Sequence, residues 1–136
     1  MKMTDQELTL ASELLNDAQL LLDKGSYRSS VSRSYYAAYH ACIALLESFG
    51  LEPHNFLGKD GRPARRWEHG IVISEVATNA RSVNVLSLPL AIQVRWQYSL
   101  RIRADYQAAI APSAYSVKRS YEAASEIITK VEGQLK

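Results

Sequence analysis

Apolar residues return at steps of three and four along most of this chain, the spacing of a helix face rather than of a strand. The densest run lies between Ser26 and Gly50, in SYRSSVSRSYYAAYHACIALLESFG. There Tyr35, Tyr39, Cys42, Ile43, Leu46 and Phe49 fall on one stripe, which predicts a helix with Ser26 as its N-cap and Gly50 as the left-handed residue that closes it. Beside the stripe, Ser29, Arg33, Tyr36 and His40 make a second edge that is polar and aromatic. Upstream, Thr4 and Glu7 in T-x-x-E read as a capping box opening a first helix that runs to Lys24. Its stripe is Ala11, Leu14, Leu15, Ala18, Leu21 and Leu22. The short hinge at Gly25 folds the two helices into an antiparallel hairpin.

After Gly50 the pattern breaks. Residues 51–64, LEPHNFLGKDGRPA, hold two Pro and two Gly and are expected to be a loop. From Arg65 to Ala80, Ile73, Val76, Ala77 and Ala80 keep helical spacing. GIVIS alone is β-branched enough for a strand, but nothing elsewhere supplies a partner strand, so a third helix is expected. Ser82 to Ser87 reads as a second connection. A fourth helix spans Leu88 to Ala109, with Ser87 as N-cap, Pro89 in the first turn, and Leu90 or Ala91, Val94, Tyr98, Arg101, Ile102 and Asp105 on one face. The last follows Pro112 with Ser113 as N-cap and carries Val117, Tyr121, Ala124, Ile128, Val131 and Leu135. Five helices and no strand predict an all-α bundle, and 136 residues suit one domain over residues 1–136.

Charge and cysteine content narrow the class. The single cysteine, Cys42, excludes a disulfide framework within the chain and sits where a small buried hydrophobe belongs. The N-terminal residues lack the form of a signal peptide, and no run approaches the roughly 18 apolar residues of a membrane span, so a cytoplasmic protein without membrane contact is expected. Residues 1–23 carry one Lys against five acidic residues, whereas residues 24–119 carry thirteen Lys or Arg against six. Arg supplies ten of the sixteen cations, and its planar fork matches phosphate. Arg62, Arg65 and Arg66 in GRPARR are therefore either a solvated basic loop or a phosphate-binding surface.

Candidate chemistry concentrates on two helices. Arg101 and Asp105, spaced i, i+4 on a face otherwise made of core residues, either pair with each other or act together on a phosphate. Tyr35, Tyr36 and Tyr39 are core aromatics or a base-stacking platform. His40 and His69 are satisfied structural histidines or, converging on Arg101, a source of proton transfer. The three histidines lack H-x-x-x-H or H-E-x-x-H spacing, which gives no metal motif. No G-x-x-x-x-G-K-[ST] or G-x-G-x-x-G occurs, so no cofactor is expected.

S-R-S-Y-Y-A-A-Y-H-A (Ser32 to Ala41), a histidine opening the following helix, and R-x-x-x-D-Y (Arg101 to Tyr106) together resemble the HEPN family of small helical domains, over about Asp17 to Leu135. The resemblance implies an up-and-down four-helix bundle with an additional helix, usually paired as a homodimer. It further implies a place among toxins and defence ribonucleases, often encoded beside a nucleotidyltransferase-type antitoxin. The family's metal-independent endoribonucleases carry R-x(4–6)-H; Arg101 matches the arginine and Asp105 the polar residue between, but Tyr106 stands where the histidine would be. A phenol titrating near 10 is a weaker base at neutral pH than an imidazole near 6.5. Two readings follow. One is a dimeric interaction module in a toxin–antitoxin or defence system that cleaves RNA weakly or not at all. The other is an RNA-cleaving or nucleotide-binding toxin with Arg101, Asp105, Tyr106 and His69 as catalytic candidates and Arg33, Tyr36, His40, Arg65, Arg66 and Arg103 as binding candidates.

Overall fold

The computed structural model describes residues 3–109 and 111–136. Among these, six α-helices and one short 3-10 turn account for the regular structure: α1 (Met3–Asp23), α2 (Tyr27–Ser48), the turn Pro53–Asn55, α3 (His69–Thr78), α4 (Ala80–Leu86), α5 (Leu88–Tyr106) and α6 (Ala114–Leu135). The four long helices form the bundle and the short α3 and α4 complete it. Helix α2 packs against α1, α3, α5 and α6. From Ala37 to Leu46 every residue except His40 is buried, because Ala37, Ala38, Ala41 and Ala44 let neighbouring helices approach from the sides that larger residues leave.

The α1–α2 hairpin is antiparallel as expected. Near the hinge, Ser30 Oγ donates to the Ala18 carbonyl at 2.8 Å, and far from it His40 meets Glu7. Gly25 and Gly50 both adopt the left-handed conformation, at φ 76° and 82°, which closes α1 and α2. Ser87 and Ser113 cap α5 and α6 with their hydroxyls, accepting from Leu90 N at 3.4 Å and Ser116 N at 3.1 Å. Ser87 holds φ 63°, a conformation that costs a non-glycine residue about 1–3 kcal/mol, at a sharp joint between two helices.

Several expectations are corrected or refined. Thr4 lies inside α1, and the Glu7 carboxylate bonds His40, so no capping box forms there. Ser26 holds the N-cap position of α2 as expected, but its side chain makes no cap bond; its carbonyl accepts from Ser30 N. The third helix begins at His69 rather than Arg65, since the Arg65–Glu68 stretch packs as loop. Residues expected as a connection form α4, started by Asn79 Oδ1, which accepts from the N–H groups of Arg81 and Ser82 at 2.9 and 3.3 Å. On α5 the buried face runs through Gln97, Leu100 and Ala104, leaving Asp105 at the surface.

The core has two parts. The larger gathers Tyr35, Leu45, Leu46, Val72, Val76, Leu86, Val94 and Ile127 around α2. A smaller one, Val31, Leu100, Ala104 and Val117, lies near the hinge with Leu22, Tyr27 and Trp96 against it. No described helix is long and apolar enough to cross a membrane.

Leu45 is fully buried and Leu57 is 68% exposed, so the two leucines separate core from surface. Leu45→Ala is expected to remove about 2–5 kcal/mol of stability through lost burial and a cavity, whereas Leu57→Ala should stay within about 0.5 kcal/mol. Urea denaturation of both variants checks this.

Candidate functional site

Tyr35, Tyr36 and Tyr39 leave α2 on the side where α3 begins and α5 passes, and His69, the first residue of α3, is set among them. Its ring stacks on Tyr39 at 4.7 Å and lies 5.2 Å from Tyr98, 5.6 Å from Tyr35 and 5.9 Å from Tyr36. The Tyr35 hydroxyl meets His69 Nδ1 at 2.6 Å. Burial holds the Tyr35 phenol far above its ordinary range, so it keeps its proton and donates. Burial, then the positive charges of Arg101 and Lys59 and the nearby His40, lower the His69 pKa. His69 is thus neutral near pH 7, with Nδ1 accepting and the proton on Nε2.

Arg101 approaches from α5. Its guanidinium lies 5.2 Å over the Tyr36 ring, a cation–π contact, and its side chain is only 15% exposed. Asp105, one turn on, places Oδ2 2.9 Å from Arg101 Nε. The two side chains form a charged pair at hydrogen-bond distance, and the terminal nitrogens of the guanidinium make no hydrogen bond among the described residues. A buried guanidinium normally has its donors matched. This one is anchored at one end and short of acceptors.

Other sequence candidates are placed around this centre. His40 Nδ1 lies 2.6 Å from Glu7 Oε2, and the His40 ring stands edge-on to Tyr39 at 5.5 Å. This arrangement fixes His40 through α1 and joins it to His69 across Tyr39. Arg33 is exposed one turn before Tyr36, and Arg65 and Arg66 are exposed in the loop before α3. Arg103 borders a separate concavity of about 170 Å³ with Leu100, Ser113 and Ser116, away from the His69 ring. Tyr106 is 74% exposed at the end of α5 and joins none of the aromatic contacts. Among the described residues no group of three or more His, Cys, Asp or Glu is placed to hold a metal ion.

One residue escaped the sequence reading. Arg28, in the first turn of α2, donates through Nη1 to the carbonyls of Ala104 at 2.6 Å and Gln107 at 3.2 Å, and through Nη2 to that of Ala108 at 2.9 Å. It satisfies carbonyls at the C-terminal end of α5 and opposes the negative end of its dipole. Arg28 thereby positions the segment that carries Arg101 and Asp105. Its partners are 76 to 80 residues away, beyond any local spacing rule.

Comparison with known proteins gives a family model, HEPN domain, that matches residues 7–134. The chain is also similar to the UPF0332 protein PH1297 of Pyrococcus horikoshii, 39% identical over 54 residues, which are 40% of this chain and 38% of that protein. A second relative is named "Putative toxin MJ0605", from Methanocaldococcus jannaschii, and is 37% identical over 51 residues, 38% of each chain. The match thus spans under two-fifths of each relative's length.

A lowered histidine pKa sets the sign of a pH effect. Between the folded pKa of His69 and about 6.5 the unfolded chain binds more protons, so stability rises with pH there. The contribution is complete above pH 6.5 and is lost on acidification toward the folded pKa. Imidazole NMR is expected to show His69 titrating below 6.5 as the Nε2–H tautomer. Tyr35→Phe, which removes a donor that favours the neutral ring, should move that titration upward. An unmoved titration would mean that the Tyr35 hydrogen bond does not favour the neutral ring.

Proposed function

The chain belongs to the HEPN domain family, and from that premise we propose that it is a toxin-related RNA-binding protein in which Arg101 anchors a phosphate of the substrate backbone. The observation that carries the reading is the state of Arg101: a largely buried cation, fixed by Asp105 at Nε and by Tyr36, whose terminal nitrogens have no hydrogen-bond acceptor among the described residues. A phosphate oxygen supplies the missing acceptor, and Arg–phosphate bonds are charge-assisted and about twice as strong as neutral ones. His69, which contacts the same Tyr36 ring as Arg101, adds an Nε2–H donor, with Tyr35 holding its other nitrogen.

Two donors beside one phosphate are suited to charge that builds on a non-bridging oxygen as a 2′-hydroxyl attacks phosphorus and the 5′-oxygen leaves. Neutral His69 donates a hydrogen bond but keeps its proton, so the departing 5′-oxygen takes its proton from water. Metal-independent cleavage then needs a separate acceptor for the 2′-hydroxyl proton. His40 is the residue suited to it, because a carboxylate at Nδ1 directs its other nitrogen to act as a base. In this reading Arg33 and Arg103 are outlying phosphate contacts, and the protein works in the cytoplasm as a homodimer restrained by a nucleotidyltransferase-type antitoxin.

A second reading is favoured by Tyr106. The residue at the motif-histidine position is exposed and outside the aromatic cluster, which suits a module that has kept the bundle and binds a protein partner without cleaving RNA.

The readings separate in one experiment. Purified protein in EDTA is titrated with a short fluorescent oligoribonucleotide by anisotropy, and product is followed on a gel. Arg101→Ala is expected to weaken binding tenfold or more and to abolish any cleavage, while Tyr106→Phe leaves both within twofold. A well-folded wild type that neither binds nor cuts RNA would overturn the phosphate reading and leave the partner-binding module.

A further inference from the structure

The loop between α2 and α3 is built rather than loose. Leu57 and Pro63 form an isolated antiparallel bridge, Gly58 N donates to the Arg62 carbonyl at 2.7 Å, and Ala64 N donates to that of Phe56 at 2.9 Å. Gly61, at φ 76°, makes the turn. Its two carboxylates hold this hairpin from inside. Asp60 Oδ1 accepts from Arg62 N at 3.0 Å, and Glu68 Oε1 accepts from Lys59 N at 3.2 Å. Gly58 lies so close that a Cβ there would stand 2.6 Å from Glu68 Oε2. With both acids directed at backbone amides, neither forms an ion pair with a cation of the loop among the described residues.

Four exposed cations, Lys59, Arg62, Arg65 and Arg66, therefore make no ion pair among the described residues, and against Asp60 and Glu68 they leave residues 59–68 a net charge of +2. Lys59, Arg65 and Arg66, together with Asp60 and Glu68, border a concavity of about 500 Å³. Glu68, which ties down the hairpin, directly precedes His69, so the basic surface begins where the aromatic cluster ends. Lys59 and Arg101 both act on His69, one from the hairpin and one from α5.

We propose that this hairpin is a phosphate rail, which binds the backbone of a single-stranded polynucleotide and leads it across His69 to Arg101. The proposal rests on the reading of Arg101 as a phosphate anchor and extends it from one phosphate to several. Three of the four cations are arginines, whose forks fit phosphate oxygens, and Tyr36 and Tyr98, which contact His69, are only half-buried and keep part of their surface open to an unpaired base. A mononucleotide has too few phosphates to engage the hairpin and Arg101 together. A duplex keeps its bases stacked and away from the tyrosines. An acidic protein surface would use the charges but not the aromatic faces.

The test uses the full chain with single-stranded oligoribonucleotides of two and ten nucleotides and a ten-base-pair duplex, each titrated across a salt series. The variant carries Lys59→Gln, Arg62→Gln, Arg65→Gln and Arg66→Gln, all at exposed positions, with circular dichroism to confirm the fold. The wild type is expected to bind the ten-mer at least tenfold more tightly than the dinucleotide and the duplex. Each phosphate contact contributes about −0.7 to the slope of log affinity against log salt for a single strand. Neutralising four contacts should therefore make the slope shallower by about 2 to 3. An unchanged slope in the quadruple variant, with Arg101→Ala still abolishing binding, overturns the rail and keeps the anchor. A shallower slope with Arg101→Ala binding normally supports the rail and removes the anchor. Equal binding of the duplex overturns the single-strand preference, and binding of poly-glutamate in place of RNA overturns the rail in favour of an acidic protein partner.

Discussion

The hydroxyl of Tyr35 is the constraint on which the site depends. Its side chain is wholly buried in the middle of α2, where an unpaired phenol would lose a hydrogen bond that water had supplied. The group that meets it is His69 Nδ1, from the first residue of α3. That contact sets where α3 begins, which way the imidazole faces and which nitrogen holds its proton. Tyr39 and Tyr98 then close on the ring. Arg101 comes to Tyr36 because α5 packs beside α2 at the same level. Fold and chemistry share one hydrogen bond.

Much of this was legible because helices announce themselves through local spacing. The stripe from Tyr35 to Leu46, the glycines closing α1 and α2, the serine caps of α5 and α6 and the Arg101–Asp105 contact all depend on residues within about one or two turns of each other. The errors have an equally local cause. Thr4 and Glu7 match a capping box in spacing, but Glu7 has a stronger partner in His40, 33 residues away. Residues 82–87 lack the length that periodicity needs, so the cap supplied by Asn79 was the signal for α4, and it was passed over. Gln97 is polar by type and buried by position because its amide donates to the Ser120 carbonyl at 2.8 Å, a contact between helices.

The candidate site was legible as a set of residues but not as an arrangement. Arg101, Asp105, Tyr36 and His69 could be named from motif and spacing. That they meet while Tyr106 faces solvent depends on how three helices pack. The order of charges was legible too, though not its consequence. The basic middle of the chain is divided between one cation drawn into the bundle against an aromatic ring and others held out on a hairpin. A guanidinium in the first position interacts through low-dielectric surroundings. In the second it acts through water and is screened by salt over a Debye length of about 8 Å at physiological ionic strength.

Arg28 alters the character of the end of α5. A helix terminus ordinarily frays, because its last carbonyls have no partners within the helix. Here three carbonyls at and just beyond the terminus are gripped by one side chain rooted in the first turn of α2. The two helices are thus fastened at a corner, like beams at a bracket. The turn bearing Asp105 gains the rigidity of an interior segment although it lies at the surface. Loss of the Arg28 side chain would release all three carbonyls at once, at the end of the helix that carries both Asp105 and Arg101.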